Sequence, residues 1–387
     1  MLIAVVGHSD DIDDEDAANE VMAACETQLA GARPVAALVF AGSTKDPTIL
    51  LDAIAARYPD LPVSGTTARA ELSSSIAHAE DSFAVLMLAS DRIAASVGFG
   101  IDAVSDPGGA ARRAVAMARE RLHDEPRLCI AFSNGTGVDM SRVLDGLCGA
   151  LGDVPVVGGA SSCELTGNRD IRELCGTSVL RDAVVVLLLG GPLRFSYAVG
   201  RGWTPVGASH VVTKARGNLL LELDGRPALE VYQRYLGASD DAGESFVHHP
   251  WAVFETSGED FYLRAGRGKG DIPGSIVTAG HVPIGATVRL TEYRRDRVVE
   301  AAAKAATDAT MRWGTGEPAA AIVFTCSARK TVLGTWTPRE VDALRATLSP
   351  STPIVGYYAF SELAPLAAGH ASRIHNNSFV TLLLGEE

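Results

Sequence analysis

One short block recurs three times in this chain with the same internal spacing. Each copy has a proline, two intervening residues, a glycine, and a glutamate six residues after the glycine. The copies are PVSG at 62–65 with Glu71, PVVG at 155–158 with Glu164, and PIVG at 353–356 with Glu362. A block that returns with fixed spacing indicates one supersecondary unit built three times, and this limits the possible folds more than composition does.

The segments around each block predict the same order of secondary structure. An apolar strand that ends in a polar loop comes first, then a segment with helical periodicity, then the block, and finally a second apolar strand. A further helix precedes each of these units, over residues 14–29, 109–122 and 296–311. The predicted fold class is therefore α/β, made of repeated strand-helix-strand-loop-strand units.

Capping residues mark the helix starts in the first and third copies. Asp46 and Thr337 each stand before a proline, an order typical of an N-cap followed by the first helical residue. Thr337 and Glu340 also have the spacing of a capping box, in which each side chain binds the other residue's backbone N–H. Short helices are therefore predicted to begin at Pro47 and Pro338.

The predicted crossovers place several loops at one edge of the sheet. A strand-helix-strand crossover makes its two strands parallel, so their carboxyl ends lie together. The loops after the first strands and the loops that hold the Gly…Glu blocks should therefore rim one crevice, where open α/β sheets bind ligands. The glycines would let a backbone N–H approach a ligand or would serve turn chemistry, and both interpretations are open.

Composition and charge restrict the domain count and the function classes. The chain has 387 residues, 47% of them apolar, so it can form a large core, and its length suggests two domains. We predict that residues 1–195 hold two repeat copies and residues 196–387 hold a joining element and the third copy, with the two domains sharing the crevice. The charge balance is 34 − 47 = −13, with an isoelectric point near 5.2, which makes nucleic acid an unfavourable partner.

The sequence shows no signal for a membrane or an export route. No apolar run approaches the roughly 18 residues that a membrane span requires. The chain turns acidic after one short apolar strand, which is unlike a signal peptide. The six cysteines are scattered without a CxxC pair, so no disulfide framework or zinc ribbon is indicated. We therefore expect a cytoplasmic protein with reduced thiols and no membrane partner.

The region after the second copy departs from the repeat and carries the most specific strings in the chain. They are GWTPVG at 202–207 and VTKARGNLLLELDGRPALEVYQRYLG at 212–237, with VPIGATVRL, FTCSARK and GYYAFSELAP further on. Together they resemble the FIST N and FIST C domains, the two halves of a bacterial sensory module, over nearly the whole chain. Family members commonly have Gly-Glu in the last block and a cysteine after the first glycine, where this chain has Ser361-Glu362 and Thr66.

The resemblance implies a function as well as a fold. It implies a cytoplasmic sensor that reversibly binds a small ligand, with an amino acid or similar metabolite proposed. Such a sensor would signal through a partner, for example a histidine kinase in trans. Some members bind haem and sense nitric oxide beside a histidine kinase, which is the alternative that the resemblance implies. The first case requires no cofactor, and the second requires haem b.

Signatures of catalysis are mostly absent from the sequence. There is no GxSxG elbow, HExxH helix, P-loop or kinase motif set, so the chain is predicted not to be an enzyme. The glycine-rich string at 266–270 lacks the strand and helix that a dinucleotide site requires, and it predicts a hairpin tip. A thiol nucleophile at Cys163 or Cys326 is a distant alternative, since Arg329 lies near Cys326 in sequence and would favour its thiolate.

The crevice loops supply the candidate ligand site. For a zwitterion such as an amino acid, Arg329 would take the carboxylate in a bidentate pair and a glutamate would take the ammonium. The residues predicted to converge there are Asn134, Glu164, Cys326, Arg329, Tyr357 and Glu362. For haem, His375 is the first choice of ligand and His281 the second. The acidic run at 10–16 opens a helix and is interpreted as capping, so no metal site is expected.

Overall fold

The predicted repeat units are present in the computed structural model, which describes residues 1–163, 170–236, 242–255 and 260–387. The first copy consists of β1 (Ile3–Ser9), α1 (Asp14–Leu29), β2 (Pro34–Gly42), α2 (Pro47–Arg57), β3 (Val63–Ala68), β4 (Glu71–Ser73) and β5 (Phe83–Ala89). The second consists of β6 (Ala94–Ile101), α3 (Pro107–Arg121), β7 (Pro126–Asn134), α4 (Met140–Leu151), β8 (Val156–Ser161), β9 (Glu173–Cys175), β10 (Ser178–Leu180) and β11 (Ala183–Gly190). The order of elements is the same in both, apart from the additional short strand β10.

The third copy begins with β12 (Leu193–Gly200) and is interrupted by residues 201–294, here called the insert. The predicted domain boundary at residue 195 falls within β12. The elements of the insert are β13 (Trp203–Arg216), β14 (Leu219–Leu223), β15 (Arg226–Pro227), α5 (Ala228–Leu236), α6 (Ala242–His248), β16 (Trp251–Phe254), β17 (Tyr262–Arg264), β18 (Gly266–Lys269), β19 (Ile276–Thr278) and β20 (Thr287–Tyr293). Residues 10–13 and 102–106 occupy the corresponding position in the first and second copies.

After the insert, the third copy resumes the same order of elements, with an additional short helix and 3-10 turn after its first parallel strand and an additional strand before its last one. They are α7 (Arg295–Trp313), β21 (Ala320–Cys326), α8 (Ser327–Leu333), a 3-10 turn (Gly334–Trp336), α9 (Pro338–Arg345), β22 (Ile354–Ala359), β23 (Glu362–Pro365), β24 (Ser372–His375) and β25 (Phe379–Glu386). The fold class is α/β, as predicted.

Helix capping agrees with the prediction in the first copy and differs from it in the third. The side chain of Asp46 caps α2. α9 begins at Pro338, but Thr337 makes no capping hydrogen bond and itself has helical backbone angles. The capping box predicted for Thr337 and Glu340 is therefore wrong, because the Glu340 carboxylate is buried and accepts a hydrogen bond from Arg329 instead.

Each copy builds the same core of a mixed sheet. β2 and β3, β7 and β8, and β21 and β22 pair in parallel, which confirms the predicted crossovers. The last strand of each copy lies antiparallel between the first strand and the parallel pair: β5 between β1 and β2, β11 between β6 and β7, and β25 between β12 and β21. The first strand therefore runs in the same direction as the parallel pair. All of their carboxyl ends lie at one edge, here called the carboxyl edge.

A short strand from each copy completes the sheet of another copy. β4 of the first copy pairs with β22 of the third, β9 of the second pairs with β3 of the first, and β23 of the third pairs with β8 of the second. The exchange is cyclic and relates the three sheets by a pseudo-threefold axis. No copy can complete its sheet alone, so the three units fold as one body.

The inner faces of the three sheets meet in one central core. Phe40, Phe132 and Phe324 occupy equivalent positions in the three copies. Their ring centroids are 6.0 Å apart for Phe40 and Phe132 and 6.4 Å apart for Phe132 and Phe324. The outer face of each sheet is covered by the helices of its own copy. The pseudo-threefold axis therefore passes through an aromatic core.

The block glycines are required by the packing of adjacent strands. The block glycines are Gly65, Gly158 and Gly356. A Cβ on each of them would lie within 2.2 Å of a carbonyl oxygen on the neighbouring parallel strand. A contact this short excludes any side chain. These glycines lie inside β3, β8 and β22, so close strand packing, and not the turn chemistry that the sequence suggested, accounts for them.

The insert emerges from the carboxyl edge, because β12 ends there. Its strands form one sheet in the order β17-β16-β20-β13-β14-β19-β18, with β15 paired to β14, and it has its own apolar core. Arg264 of the insert donates to the carbonyl of Ile374 at 3.3 Å, and the backbone N–H of His281 donates to the hydroxyl of Ser141 at 2.9 Å. The insert therefore contacts both the second and the third copies.

The longest helix of the described ranges, α7, has one buried side and one exposed side. α7, which spans 19 residues, buries alanines on one side and carries charged residues such as Lys304 on the other. Nowhere in the described ranges does a helix combine the length and the apolar character that crossing a bilayer demands.

Candidate functional site

Three buried glutamates occupy equivalent positions near the carboxyl edge. Glu71 and Glu362 are the first residues of β4 and β23, the strands exchanged from the first and third copies. In the second copy the equivalent residue is Glu173, the first residue of β9. Glu164, selected by the spacing, lies outside the described residues. The structure corrects the choice of glutamate in the second copy, because a longer loop there separates the block glycine from the equivalent glutamate.

Each of the three carboxyls is held by a serine and shielded from water. The hydroxyl-to-carboxyl distances are 2.6 Å from Ser82 to Glu71, 2.6 Å from Ser378 to Glu362 and 2.9 Å from Ser161 to Glu173. The second oxygen of each carboxyl has no hydrogen-bond partner within the part of the chain that the structure describes. Burial raises the pKa of each carboxyl to about 8, so all three hold a proton at neutral pH.

Tyr357 fills the centre of the molecule next to these carboxyls. Its ring contacts the three core phenylalanines, with its centroid 4.8 Å from that of Phe40. The equivalent positions hold Thr66 and Gly159, and a Cβ on Gly159 would lie 2.8 Å from the Tyr357 hydroxyl. Tyr357 is fully buried. It is therefore a core residue of the axis, and a ligand reaches it only if the core opens.

Cys326 lies at the end of β21, beside Glu362. The residue is 4% exposed. Burial, together with the nearby Glu362 carboxyl, raises the pKa of the Cys326 thiol well above its usual value. A nucleophilic cysteine needs a thiolate, so this environment does not favour the thiol chemistry that the sequence left as a distant alternative. Cys163 is also buried.

Arg329 faces the interior of the third copy and not the crevice. It is fully buried, and its Nε donates to Oε1 of Glu340 at 2.6 Å. Its Nη1 and Nη2 donate to the carbonyls of Arg201 and Val298 at 2.9 and 2.6 Å. The prediction that Arg329 takes a ligand carboxylate is wrong, because an internal carboxylate already occupies its guanidinium.

Asn134 lies at the carboxyl edge, as predicted, at the end of β7. Its side-chain oxygen accepts from the backbone N–H of Thr136 at 2.8 Å and from the Thr136 hydroxyl at 3.0 Å. This is the local turn that asparagine commonly stabilises. Asn134 therefore shapes the loop that follows it, and a direct ligand contact stays a prediction.

The two histidines predicted for the haem alternative are both engaged with the protein. His375 is 1% exposed, and its Nε2 lies 3.0 Å from the carbonyl of Ala364. Burial lowers the pKa of His375 to about 3. The Nε2 of His281 lies 3.0 Å from Oδ2 of Asp139. Axial ligation of haem iron needs an imidazole nitrogen that faces an apolar pocket. Since both Nε2 atoms are engaged, ligation by either histidine would have to use Nδ1.

Three arginines outside the predicted site bind equivalent backbone carbonyls at the carboxyl edge. Each carbonyl belongs to the residue directly after β21, β2 or β7. The contacts run from Nη1 of Arg69 to Ser327 at 3.4 Å, from Nη2 of Arg172 to Ser43 at 3.2 Å and from Nη1 of Arg267 to Gly135 at 2.7 Å. We call these three residues the arginine trio. Each reaches from one copy to another in the same cyclic order as the exchanged strands: Arg69 from the first copy to the third, Arg172 from the second to the first, and Arg267 from the insert of the third to the second.

The arginine trio gives the carboxyl edge a chemistry suited to anions. Guanidinium groups present planar sets of N–H donors that match carboxylates and phosphates. The three buried glutamates near this edge are neutral at pH 7, so they do not compete for these donors as carboxylates would. One member of the trio has a carboxylate neighbour, since Oδ2 of Asp170 lies 3.7 Å from Nε of Arg172. Together the three guanidinium groups still place several N–H donors at this edge, which favours the binding of an acidic group from solution.

The sequence held partial signals for the arginine trio. Arg69 stands between a block glycine and its glutamate, and Arg172 directly precedes Glu173. Arg267 stands between two glycines in the string at 266–270, which forms the strand β18 rather than the predicted hairpin tip. What the three arginines share is that each guanidinium donates to an equivalent backbone carbonyl of another copy. Because the two residues of each pair lie far apart in the chain, only the three-dimensional structure shows this.

Comparison with known proteins agrees with the resemblance. The sequence model of the FIST N domain matches residues 35–226, and that of the FIST C domain matches residues 228–365. An uncharacterized protein of Methanocaldococcus jannaschii is 31% identical over 132 residues, which are 33% of this chain and 24% of that protein. An uncharacterized protein of Mycobacterium bovis is 27% identical over 226 residues, which are 56% of this chain and 57% of that protein. The chain thus spans less than two thirds of the length of either relative.

A comparison of structures gives a weaker likeness. The crystal structure of cyanuric acid hydrolase from A. caulinodans aligns over 100% of both chains, with a TM-score of 0.36 and 9% sequence identity. A likeness of this degree carries no argument about function.

Proposed function

The chain belongs to the FIST family of sensory domains, and from this premise we propose that it reversibly binds a small metabolite at the carboxyl edge and signals through a partner protein. The ligand class is an amino acid or a similar metabolite. The partner, for which a histidine kinase acting in trans is the first candidate, responds to the difference between the free and the bound forms. A ligand that prefers one of two conformations shifts the population toward it, and this shift is the signal.

The observation that carries the proposal is the arginine trio. Each of its guanidinium groups binds a backbone carbonyl at the same edge, which fixes the position of a charged group that has several donors. The carboxylate of an amino acid is a matching acceptor for such a group. The edge is also where parallel strands end, the usual position for ligands in open α/β sheets.

The insert supports the signalling part of the proposal. It is joined to the repeat body at both of its ends, and Trp203 and Leu263 of the insert share one buried apolar cluster with Leu333 of α8. Polar contacts add to this, among them the pair of Arg373 with Glu255 at 2.6 and 3.0 Å. A change at the carboxyl edge would therefore reach the insert through direct contacts. A ligand bound between the insert and the carboxyl edge would favour one arrangement over others.

Binding without turnover is part of the proposal. The residues near the carboxyl edge that are most capable of acid-base or nucleophilic chemistry are Cys326 and Glu362, and burial keeps both protonated. Neither supplies a base or a nucleophile at neutral pH. A role in catalysis would require these groups to become exposed.

A thermal-shift screen of the twenty amino acids tests the proposal. A ligand at a hundredfold excess over its Kd stabilises the folded state by about 2.7 kcal/mol, which raises the unfolding midpoint measurably. Arg172→Gln removes one member of the arginine trio and should reduce the shift. Arg297→Gln, which alters an exposed arginine on α7 that pairs with Glu300 of the same helix, is the matched control and should leave the shift unchanged.

The screen also identifies failure of the proposal. If no amino acid moves the midpoint of the unaltered protein, the proposed function is wrong. Addition of hemin is the informative second arm. A sharp Soret band that His375→Ala abolishes would replace the metabolite proposal with the haem alternative.

A further inference from the structure

Arg267 differs from the other two members of the arginine trio in origin and exposure. It belongs to the insert, whereas Arg69 and Arg172 belong to the repeat body. Its side chain is exposed, and those of Arg69 and Arg172 are partly buried. Its Nη1 donates to the carbonyl of Gly135 at 2.7 Å, and within the described ranges this is its one hydrogen bond. Within the described ranges, the remaining guanidinium N–H groups of Arg267 therefore have no protein acceptor.

Among the described residues, no carboxylate forms an ion pair with Arg267. Protein packed around the guanidinium lowers the pKa of Arg267, and the titratable neighbour that opposes this effect is Cys326. Cys326 and the adjacent Glu362 both hold their protons at neutral pH, since burial raises the pKa of each. A guanidinium that the surrounding protein partly desolvates, and that has no ion-pair partner among the described residues, favours an anion from solution.

We propose that Arg267 binds the carboxylate of the small ligand and that this contact holds the insert against the second copy. The inference rests on the proposed function and names the group of the ligand and the residue that receives it. Because Nη1 is committed to Gly135, the edge formed by Nε and Nη2 is the one that receives the two oxygens of a carboxylate.

A carboxylate fits this site better than a phosphate group. Arg267 supplies one positive charge, which a single carboxylate balances. A phosphate dianion would leave a second negative charge beside the buried acidic groups Cys326 and Glu362, where charge is costly. The flanking Gly266 and Gly268 leave the backbone on both sides of Arg267 without further side-chain donors.

The contact also explains how binding reaches the insert. Arg264, on the preceding strand β17, already donates to the side chain of Asn376 at 3.3 Å, and His281 binds Asp139 of the second copy. These contacts place β17 and β18 against the loops of the second and third copies. A carboxylate on Arg267 adds an attraction at the same interface, so the bound form holds the insert more tightly.

The experiment measures ligand binding and insert protection in the same variants. The probes are the twenty amino acids, the matching amino acid amides, which lack the carboxylate, and inorganic phosphate. Arg267→Gln should weaken amino acid binding by about tenfold to a hundredfold, as expected for loss of a charge-assisted bidentate hydrogen bond. Arg267→Lys keeps the charge but not the planar pair of donors and should recover part of the affinity. Lys269→Gln, on the same strand, is the matched control and should bind normally.

Hydrogen exchange provides the second readout. Binding of the amino acid should slow exchange of the backbone amides at 266–269 in the unaltered protein and in Lys269→Gln, but not in Arg267→Gln. Unchanged unfolding midpoints without ligand establish that the variants fold. Equal amino acid binding by Arg267→Gln and the unaltered protein would overturn this inference and leave the proposed function standing.

Two further outcomes separate the inference from its premise. Binding of phosphate, or of the amides as tightly as the amino acids, would overturn the carboxylate assignment. The absence of a shift with any probe in the unaltered protein would overturn both the inference and the proposed function.

Discussion

The third copy of the repeat differs from the first two most clearly at the pseudo-threefold axis. After the block glycine the first two copies carry Thr66 and Gly159, whereas the third carries Tyr357. The ring of Tyr357 packs against all three core phenylalanines and fills the space that the three positions share. Repeats around one core cannot stay identical at the axis, because one volume accepts one large side chain.

Other positions stay equivalent in all three copies. In each copy, a residue just before the last strand has a left-handed backbone. Its φ is 51° at Asp81, 54° at Asp182 and 53° at Asn377. Asparagine and aspartate adopt this conformation more readily than most residues. The buried glutamates and block glycines are likewise equivalent. The three copies therefore keep the residues that shape and join their sheets. They differ at the axis, where only one large side chain fits, and at the insert, which only the third copy has.

The largest expected effect concerns the buried pair of Arg329 and Glu340 in the third copy. Glu340→Ala leaves a buried guanidinium without its counter-charge, and the free energy of unfolding should fall by about 3–5 kcal/mol. Chemical denaturation measures the loss. The double variant Arg329→Met with Glu340→Leu removes both charges and should recover most of it. Native stability of the single variant would show that the pair does not support the third copy.

The next effect tests the asymmetry at the axis directly. Gly159→Ala places a methyl group 2.8 Å from the Tyr357 hydroxyl and 3.0 Å from the Ala359 Cβ, and overpacking of this kind should destabilise the protein by about 1–3 kcal/mol. Adding Tyr357→Phe removes the closest atom and should restore part of the stability. Gly149→Ala is the control, because a Cβ there meets nothing within 4 Å. A loss that Tyr357→Phe does not reduce would mean that the axis is not filled by this ring.

A third effect compares the buried glutamates through the pH dependence of stability. Their pKa is about 8 in the folded protein against a usual value of 4.5, so between these pH values the folded state holds protons that the unfolded state has lost. The free energy of unfolding should therefore fall as the pH rises from 4.5 to 8. Each carboxyl contributes up to about 1.4 kcal/mol per pH unit in that window.

Replacing the glutamates one at a time sharpens the comparison of the copies. Glu71→Gln, Glu173→Gln and Glu362→Gln are neutral at every pH, so each should flatten the slope of stability against pH by a similar amount. Urea denaturation at a series of pH values gives the slopes. A variant that leaves the slope intact would show that its copy does not hold a protonated carboxyl. Unequal effects would indicate that the hydrogen-bond donor to each carboxyl matters. In the first and third copies this donor is the serine before the last strand, whereas in the second copy it is Ser161.

The smallest effect concerns the contact between the insert and the third copy. Arg373 and Glu255 form a bidentate pair whose side chains are 39% and 33% exposed, so Arg373→Ala should cost about 0–1 kcal/mol. Thermal unfolding detects a change of this size as a small shift in the midpoint. A loss as large as that of Glu340→Ala would show that the insert stabilises the repeat body as strongly as an internal element does.

Much of the fold was predictable, because its signals are local. The spacing of proline and glycine, the helical periodicity and the apolar strands identify three α/β units, and parallel pairing of β2 with β3 follows from the crossover rule. The functional site was less predictable. Equal spacing selected Glu164, and the longer loop of the second copy moved the equivalent role to Glu173.

The residues of the crevice show the same limit. Arg329 follows Cys326 by three positions in the sequence, yet α8 turns its side chain toward Glu340 and away from the edge. Arg267 lies far from the repeat in sequence, yet the insert brings it to the loop after β7. Proximity along the chain did not indicate which arginine lies at the carboxyl edge.

By itself, the sequence determined that three similar α/β units form, since strand and helix periodicity and turn residues act within a few positions. Tertiary structure alone decided that each copy lends a strand to another, that Tyr357 takes the axis, and that three arginines reach equivalent carbonyls. The physical reason is that closing three sheets around one core brings together groups separated by a hundred residues or more, such as Arg267 and Gly135. Their pairing depends on packing and burial, which no local pattern encodes.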